Sequence, residues 1–386
     1  MTDIKVAIVG GGIGGLTMAI ALKRANIPFV VYEASKKIKP VGAGIAIANN
    51  AMQVYHYLGI ADKITLKGVR ISKVALTNMN LEVLNTTDLR PYEEKYRLVN
   101  VAIHRSELHN VLLGELEQGD VLLDKRLKEL NRDKKGNYEL LFEDGSKAIH
   151  QCVIGADGIR SVVRKEVFGP VPLRDAHQIC WRGVLDFTLS KAYEHLAIEG
   201  WGKGKRLGFV KLDDKQVYWY FLVNENMYLK NNDLFSHLDD SAPIVKQMIT
   251  QTPRESIHID KIFDLKPTNY IWYKDKVCLI GDAAHATTPN LGQGACQAIE
   301  DVYVISQLLK HYSLEEALEK FPYIRFKRVK GIVRNSWLLG QMAQFTNPVL
   351  VVLRNMSFRL LPDFLKSKQL KEMFELDTIK AIYKER

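Results

Sequence analysis

The chain begins with an apolar run, Ile4-Lys-Val-Ala-Ile-Val9, short and β-rich, that reads as a buried strand. The glycine cluster Gly10-Gly-Gly-Ile-Gly-Gly15 interrupts it, and Leu16-Thr-Met-Ala-Ile-Ala-Leu-Lys-Arg24 follows with good helix formers. After Asn26-Ile-Pro28 a second apolar run, Phe29-Val-Val-Tyr-Glu33, is expected to lie parallel to the first by a right-handed crossover. Strand, turn, helix and strand together span about 30 residues, the size of a βαβ unit.

Farther along, the pattern predicts helices over 50–58 and 104–113, the latter opened by a Ser cap. Strands are expected over 121–130, 138–142 and 150–154, with Glu143-Asp-Gly-Ser146 turning between two of them. From 176 to 267 the alternation becomes β-dominated, with runs at 180–187, 206–211 and 217–223. A large antiparallel sheet with one helix near 242–252 is the reading. An apolar strand returns at 277–280, a helical region runs on through Lys310, and residues 311–386 look largely helical, broken by Pro348 and Pro362. With no internal repeat and no flexible linker, the pattern fits one α/β domain interrupted by a β-rich insertion.

Composition removes alternatives. Of 386 residues 47% are hydrophobic and 25% charged, which excludes a disordered or collagen-like chain and allows a sizeable core. The formal charge is +10, and residues 309–386 hold 15 Lys/Arg against 8 Asp/Glu. No dense basic run occurs there, so nucleic-acid binding is not expected. In Phe321-Pro-Tyr-Ile-Arg-Phe-Lys-Arg-Val-Lys330 the charges alternate with apolar residues at helical spacing and read as solvated helix faces. Cys152, Cys180, Cys278 and Cys296 form no C-x-x-C pair, so neither a metal site nor a thiol redox motif is expected, and they read as buried thiols in a reducing compartment. The apolar stretch 6–22 holds five glycines and lacks a basic flank; it reads as strand, turn and helix rather than a signal or membrane segment, and a cytoplasmic location is expected.

Gly10, Gly12 and Gly15 satisfy G-x-G-x-x-G. One glycine permits the tight turn, the next lets backbone approach a pyrophosphate, and the third lets helix and strand pack closely, with the helix N-terminus facing the diphosphate. Glu33 stands at the end of the second strand, where a carboxylate hydrogen-bonds ribose hydroxyls and repels a 2′-phosphate, so the tightly held dinucleotide is not expected to be NADP. A plain turn with a chance acid is the alternative.

Two further segments follow strands: Gly155-Ala-Asp157-Gly158-Ile-Arg160-Ser161, and Gly281-Asp282-Ala-Ala-His285 continuing to Pro289, Gly292, Gln293 and Gly294. With them the whole chain resembles the group A flavoprotein aromatic hydroxylases, the p-hydroxybenzoate hydroxylase-like FAD monooxygenases. The resemblance implies a Rossmann-type FAD/NAD(P)-binding domain, an inserted mostly antiparallel β-sheet substrate domain and a helical C-terminal segment. The expected division is 1–75, 97–175 and 268–345 for FAD, 76–96 and 176–267 for substrate, and 346–386 for the C-terminal helices. It also implies that Asp282 contacts the ribityl chain, that Asp157 lies near the FAD and the nicotinamide path, and that Arg105 neighbours the diphosphate. The implied chemistry is hydroxylation: NADH or NADPH visits to reduce non-covalent FAD, O2 forms a flavin C4a-hydroperoxide, and its distal oxygen passes to a small aromatic ring.

The residues themselves add that Pro289–Gly294 precedes a helix, so the backbone N–H groups of Gln293, Gly294 and Ala295 are placed to face the flavin N1–C2=O edge, where negative charge gathers on reduction. The plainer alternatives are a helix-capping loop, Asp282 as an N-cap, and His285 as a structural hydrogen-bonding residue. A dry pocket is needed for oxygen transfer, and Trp181, Tyr218, Trp219, Tyr220 and Phe221 are candidate walls, half facing pocket and half facing core. Within the family the chain is most similar to FAD-dependent urate hydroxylases, at Lys37-Ile-Lys-Pro-Val-Gly-Ala43, Gly204-Lys-Arg206 and Val217-Tyr218. That resemblance implies that Arg206 and Tyr218 hold the substrate. The chain departs from those enzymes at Arg182, where they carry Asn, and at Asn290, where they carry Asp. Arg182 with Arg206 favours a carboxylate or another acidic ring, the alternative for each being a salt bridge. Two other readings stand beside hydroxylation of a small aromatic compound. One is oxygenation of a larger polyketide, as in tetracycline-inactivating monooxygenases. The other is a flavin-binding protein docked on an anionic surface through Arg325, Lys327, Arg328 and Lys330, for which the tail lacks a long amphipathic face.

Overall fold

A computed structural model describes residues 6–37, 43–267 and 271–376. Strand Val6–Val9 is buried throughout and pairs in parallel with Phe29–Tyr32 on one side and Cys152–Gly155 on the other. Val121–Leu122 extends the sheet beyond Phe29–Tyr32, and Val277–Leu279 with the edge strand Tyr273–Lys274 extends it beyond Cys152–Gly155. Only that last edge pairing is antiparallel. Continuous apolar runs suit a parallel sheet covered on both faces. Helix Ile13–Arg24 packs between this sheet and helix Gly294–Leu308, and together they form the larger core.

The second layer is a seven-stranded sheet in the order His258–Asp264, Arg174–Asp186, Gln216–Asn224, Lys205–Lys211, Leu196–Trp201, Lys73–Asn78, Val83–Asp88. Every neighbour is antiparallel except Leu196–Trp201 against Lys73–Asn78, so the sheet is mostly antiparallel. The period of two divides its side chains. Trp181, Trp219, Phe221 and Leu207 join the second core, sealed by helix Pro243–Gln251. The opposite face carries Arg182, Arg206, Tyr218 and Tyr220, as the register pairs Arg182 with Tyr220 and Arg206 with Leu222.

Several local expectations need correction. Helix Arg105–Leu113 is capped by the His104 ring, which accepts from the Ser106 N–H, not by a serine. The run 121–130 is two strands, Val121–Leu122 and Leu127–Arg132, in different sheets. The run 150–154 likewise divides into Lys147–His150 and Cys152–Gly155, one residue between them turning the chain from a small antiparallel sheet into the central one. Pro348 and Pro362 do not interrupt helices. Helix Leu314–Ala343 has already ended, Pro348 is the first residue of Pro348–Arg359, and Pro362 precedes Asp363–Phe374, positions that need no backbone N–H. Pro322 by contrast lies inside the long helix.

Candidate active site

The glycine turn has the three shapes its pattern calls for. Gly10 sits at φ +109°, and a Cβ there would stand 2.4 Å from the Ala156 carbonyl oxygen. A Cβ on Gly15 would stand 2.0 Å from the Gly10 carbonyl oxygen, so only glycine lets helix and strand approach. A Cβ on Gly12 would meet nothing within 4 Å. Gly12 is the N-cap of a helix that no side chain caps among the described residues, so its first N–H groups lack side-chain partners there. The Glu33 carboxylate accepts from the Gly11 N–H at 2.7 Å and the Ser35 N–H at 2.8 Å, which ties it to the glycine loop itself.

Asp157 caps helix Val162–Phe168, accepting from Ser161 Oγ at 2.5 Å and from the Val162 and Val163 N–H groups. Burial pushes its pKa up and those bonds oppose the rise. Arg105, first residue of its helix, has a buried Nε without a hydrogen-bond partner among the described residues. Burial pushes its pKa down, the Arg182 charge adds to this, and Asp282 opposes it. One turn on, burial and the Arg105 charge push His109 down to about 4, so this ring is neutral. Asp282 combines an exposed side chain with a pKa raised by desolvation and opposed by His285 and Arg105. An accessible carboxylate closely surrounded by protein gives that combination. A Cβ on Gly294 would stand 4.0 Å from Asp282 Oδ1, so the start of helix Gly294–Leu308 borders the same space.

The loop before that helix is held from behind. Pro289–Leu291 forms a 3₁₀ turn ending at Gly292, φ +61°. Gln293 is buried with its Oε1 accepting from Asn50 at 2.9 Å and Gln297 at 3.0 Å, and no side chain caps the helix. The Gly294 and Ala295 N–H groups are therefore left for something outside the helix. Asn290 donates to Thr288 Oγ1 and the Ser336 carbonyl, fastening the loop to helix Leu314–Ala343.

Behind this loop lies an ionic cluster that the sequence reading missed. Asp301 accepts from the Gly281 N–H, His285 Nε2 at 2.6 Å and Arg325 Nε at 2.8 Å. Glu300 accepts from Arg325, Arg328, Asn50 and Gln297. Burial pushes both carboxyls up, and the guanidiniums, with His285 on Asp301, outweigh it and hold them below the usual range. Lys327 and Lys330 lie on the solvated face expected of 321–330, but Arg325 is fully buried with Phe321 and Val329, and Arg328 is bonded to Glu300. This removes Arg325 and Arg328 from any surface contact. The acidic pair two helical turns after Gly294 was the available signal.

On the opposite wall, the free face of the seven-stranded sheet brings Arg182, Arg206, Tyr218 and Tyr220 together. Trp181, Trp219 and Phe221 turn away into the core. Tyr218 packs where a Cβ on Gly44 would stand, 2.6 Å from its own Cβ, and it lies near Arg105 and Arg182. Both guanidiniums already have carboxylates. Arg182 Nη2 is 2.6 Å from Asp260, and Arg206, only 1% exposed, has Nη1 3.4 Å from Glu199. Glu199 also accepts from Tyr220 at 2.8 Å and Trp201 at 2.7 Å, while Arg206 Nε and Nη1 make no hydrogen bond among the described residues. Nothing in the sequence marked Glu199, because its role depends on strand register. Most of the segment 37–43 lies outside the described residues.

All four cysteines are free and buried. Among the described residues Asp175, His177 and Glu225 converge as metal ligands would, but the Lys261 ammonium already bridges both carboxylates. No helix of the described residues is long and apolar enough to cross a membrane.

The FAD binding domain family matches residues 3–336. The chain is 30% identical to aurachin C monooxygenase/isomerase of Stigmatella aurantiaca, over 93% of this chain and 95% of that one. It is 31% identical to 2-heptyl-3-hydroxy-4(1H)-quinolone synthase of Pseudomonas aeruginosa, with the same coverage. The crystal structure of Klebsiella pneumoniae HpxO complexed with FAD and uric acid superposes with a TM-score of 0.85 at 26% identity, over 97% of this chain and 96% of that one. A glycine turn with open space at Gly12, an uncapped helix at Gly294 and a polar sheet face opposite them accord with these likenesses: the chain belongs to the FAD binding domain family, among its FAD-dependent monooxygenases of aromatic and heteroaromatic compounds.

Proposed function

We propose that the protein hydroxylates a neutral nitrogen heteroaromatic compound at the expense of NADH or NADPH and O2, giving the hydroxylated ring, NAD(P)+ and water. The observation that carries this reading is the sheet face across from Gly294. It offers the Tyr218 phenol and a buried guanidinium whose charge is balanced by Glu199, which also takes the Tyr220 hydroxyl. A charge-neutral face with free N–H donors on Arg206 suits ring carbonyl and ring nitrogen acceptors better than a carboxylate, which would face Glu199 and Asp260. This departs from the acidic substrate expected from Arg182 and Arg206 alone. The 4(1H)-quinolone named for the Pseudomonas relative is a neutral ring of the favoured kind, whereas urate shares the ring nitrogens and carbonyls but carries a negative charge.

The residues fit FAD. Gly10, Gly12, Gly15 and the helix behind them would hold the diphosphate with Arg105, and Glu33 would orient the loop and reach the ribose. Asp157 would shape the nicotinamide approach and Asp282 would meet the ribityl chain. Gly292, Gln293, Gly294 and Ala295 would hold the ring at its N1–C2=O edge, with Pro289 opening the turn that leads into them. Bound there, FAD supplies two-electron transfer from NAD(P)H and the activation of O2. Arg206 and Tyr218 position the substrate, with Arg182 at the pocket edge. Burial pushes the Tyr218 and Tyr220 phenols well above their ordinary range, so both remain hydrogen-bond donors at neutral pH. Tyr218 on Gly44 closes one side against water, which otherwise promotes loss of peroxide. In this reading 1–75, 97–175 and 268–345 carry the cofactor, and 76–96 with 176–267 the substrate. Strand Lys73–Asn78 is shared across that boundary.

The test is NADH and NADPH oxidation by FAD-loaded protein in air with 4(1H)-quinolones, urate, salicylate and 3-amino-4-hydroxybenzoate, with peroxide assayed in parallel. A neutral heteroaromatic compound that accelerates oxidation and yields a product heavier by one oxygen supports the proposal. Acceleration only by the anions, urate and the two benzoates, refutes the substrate class, and peroxide without product refutes hydroxylation of the compound tested.

A further inference from the structure

Helix Pro348–Arg359 presents two unlike faces. Its inner face is pinned to the seven-stranded sheet. Arg354 donates to the Gly202 and Ala343 carbonyls, Phe358 stacks edge-on against Trp201 at 4.9 Å, and the Phe358 carbonyl accepts from Asn85. Its outer face carries Val349 (65% exposed), Val352, Leu353, Met356 (51%) and Leu360 (75%), and Phe364 (69%) and Leu365 continue the patch into the next helix. Positions 349, 352, 353, 356 and 360 fall on a single helical stripe. Contiguous exposed apolar surface of this kind marks a contact with something outside the chain.

Charge decides between occupants. Residues 341–371 hold five Lys/Arg and one Asp/Glu, and the one acid, Asp363, is paired with Lys366. Arg359 and Lys368 are exposed beside the apolar stripe, and Lys203 is exposed next to Gly202, where Arg354 docks; Lys371 is paired with Glu375. A second copy joined through this face by a two-fold axis would set like charges against each other. An anionic lipid surface takes both the apolar stripe and its basic rim. We propose that the outer face of Pro348–Arg359 and the start of Asp363–Phe374 dock the protein on an anionic bilayer surface, lying in the interface without crossing it. The segment 321–330, whose arginines are used internally, takes no part.

The experiment sediments FAD-loaded full-length protein with vesicles of phosphatidylcholine alone or with about one-third phosphatidylglycerol, in low and high salt, next to sedimentation velocity without lipid. The proposal expects binding to the anionic vesicles in low salt only. It expects Leu353→Ser with Met356→Ser, and separately Arg359→Glu with Lys368→Glu, to weaken partitioning on the order of tenfold or more while flavin content stays unchanged. Failure of the wild type to bind anionic vesicles overturns it, as does undiminished binding by the apolar variant. A wild-type dimer that the apolar variant splits overturns it too, and would assign the face to a second copy.

Discussion

At single residues, equal-looking glycines make opposite predictions. Gly15→Val drives a side chain into the Gly10 carbonyl oxygen, 2.0 Å from where its Cβ must stand, so the protein should fail to fold or lose several degrees of melting temperature. Gly12→Val meets only open space; the apoprotein should fold at a cost of about 1 kcal/mol, yet lose FAD. Circular dichroism with flavin absorbance separates them, and a yellow, fully loaded Gly12→Val would contradict the diphosphate assignment. Arg206→Ala leaves Glu199 with its two donors but no cation, for a cost of about 3 kcal/mol. It should raise the substrate dissociation constant about tenfold with FAD content intact. Normal substrate binding by this variant would show that Arg206 touches no substrate.

At the scale of elements, helix Gly294–Leu308 is held to helix Leu314–Ala343 by buried charges rather than by apolar contacts alone. Arg325→Met leaves Glu300 and Asp301 with fewer cations and should cost about 3–5 kcal/mol at neutral pH. The sign of its pH dependence follows from the depressed carboxyls. In the wild type their contribution is complete above the ordinary carboxylate range near pH 4 and is lost as pH falls through the lowered folded values. In the variant the less compensated carboxyls take up protons more readily, so the gap to wild type should narrow from pH 8 toward pH 5. Urea denaturation across that range measures it, and a gap that stays constant would mean the arginine acts by packing. The helices themselves were largely legible, since their apolar periodicity and Ser313 capping box are local. The role of the prolines was not, because a proline that breaks one helix and a proline that opens another look alike without the preceding helix end.

At the scale of the molecule, FAD would lie between the glycine turn, the Gly294 helix start and the polar sheet face, so it couples the layers. Removing it should lower the melting temperature by several degrees and raise hydrogen exchange at 44–47 and 287–295. Restoring it at a hundred times its dissociation constant should return about 2.7 kcal/mol. Calorimetry and exchange mass spectrometry read both, and unchanged exchange in those segments would place the cofactor elsewhere.

Local sequence carries the βαβ unit, the glycine turn with Glu33, the two later glycine-bearing segments that follow strands, and the β-rich insertion. Each of these is written in contiguous residues whose spacing and conformational demands are local. Tertiary structure alone decided which of Trp181, Tyr218, Trp219, Tyr220 and Phe221 face the site, because a one-residue change of strand register reverses every side chain. It decided that Arg206 and Arg182 are already neutralised by Glu199 and Asp260, partners that only sheet pairing brings near. It also decided that Arg325 and Arg328 turn inward while Val349, Val352, Leu353, Met356 and Leu360 turn outward. A helical stripe states only that two faces differ, and the packing of the rest of the chain settles which one meets water.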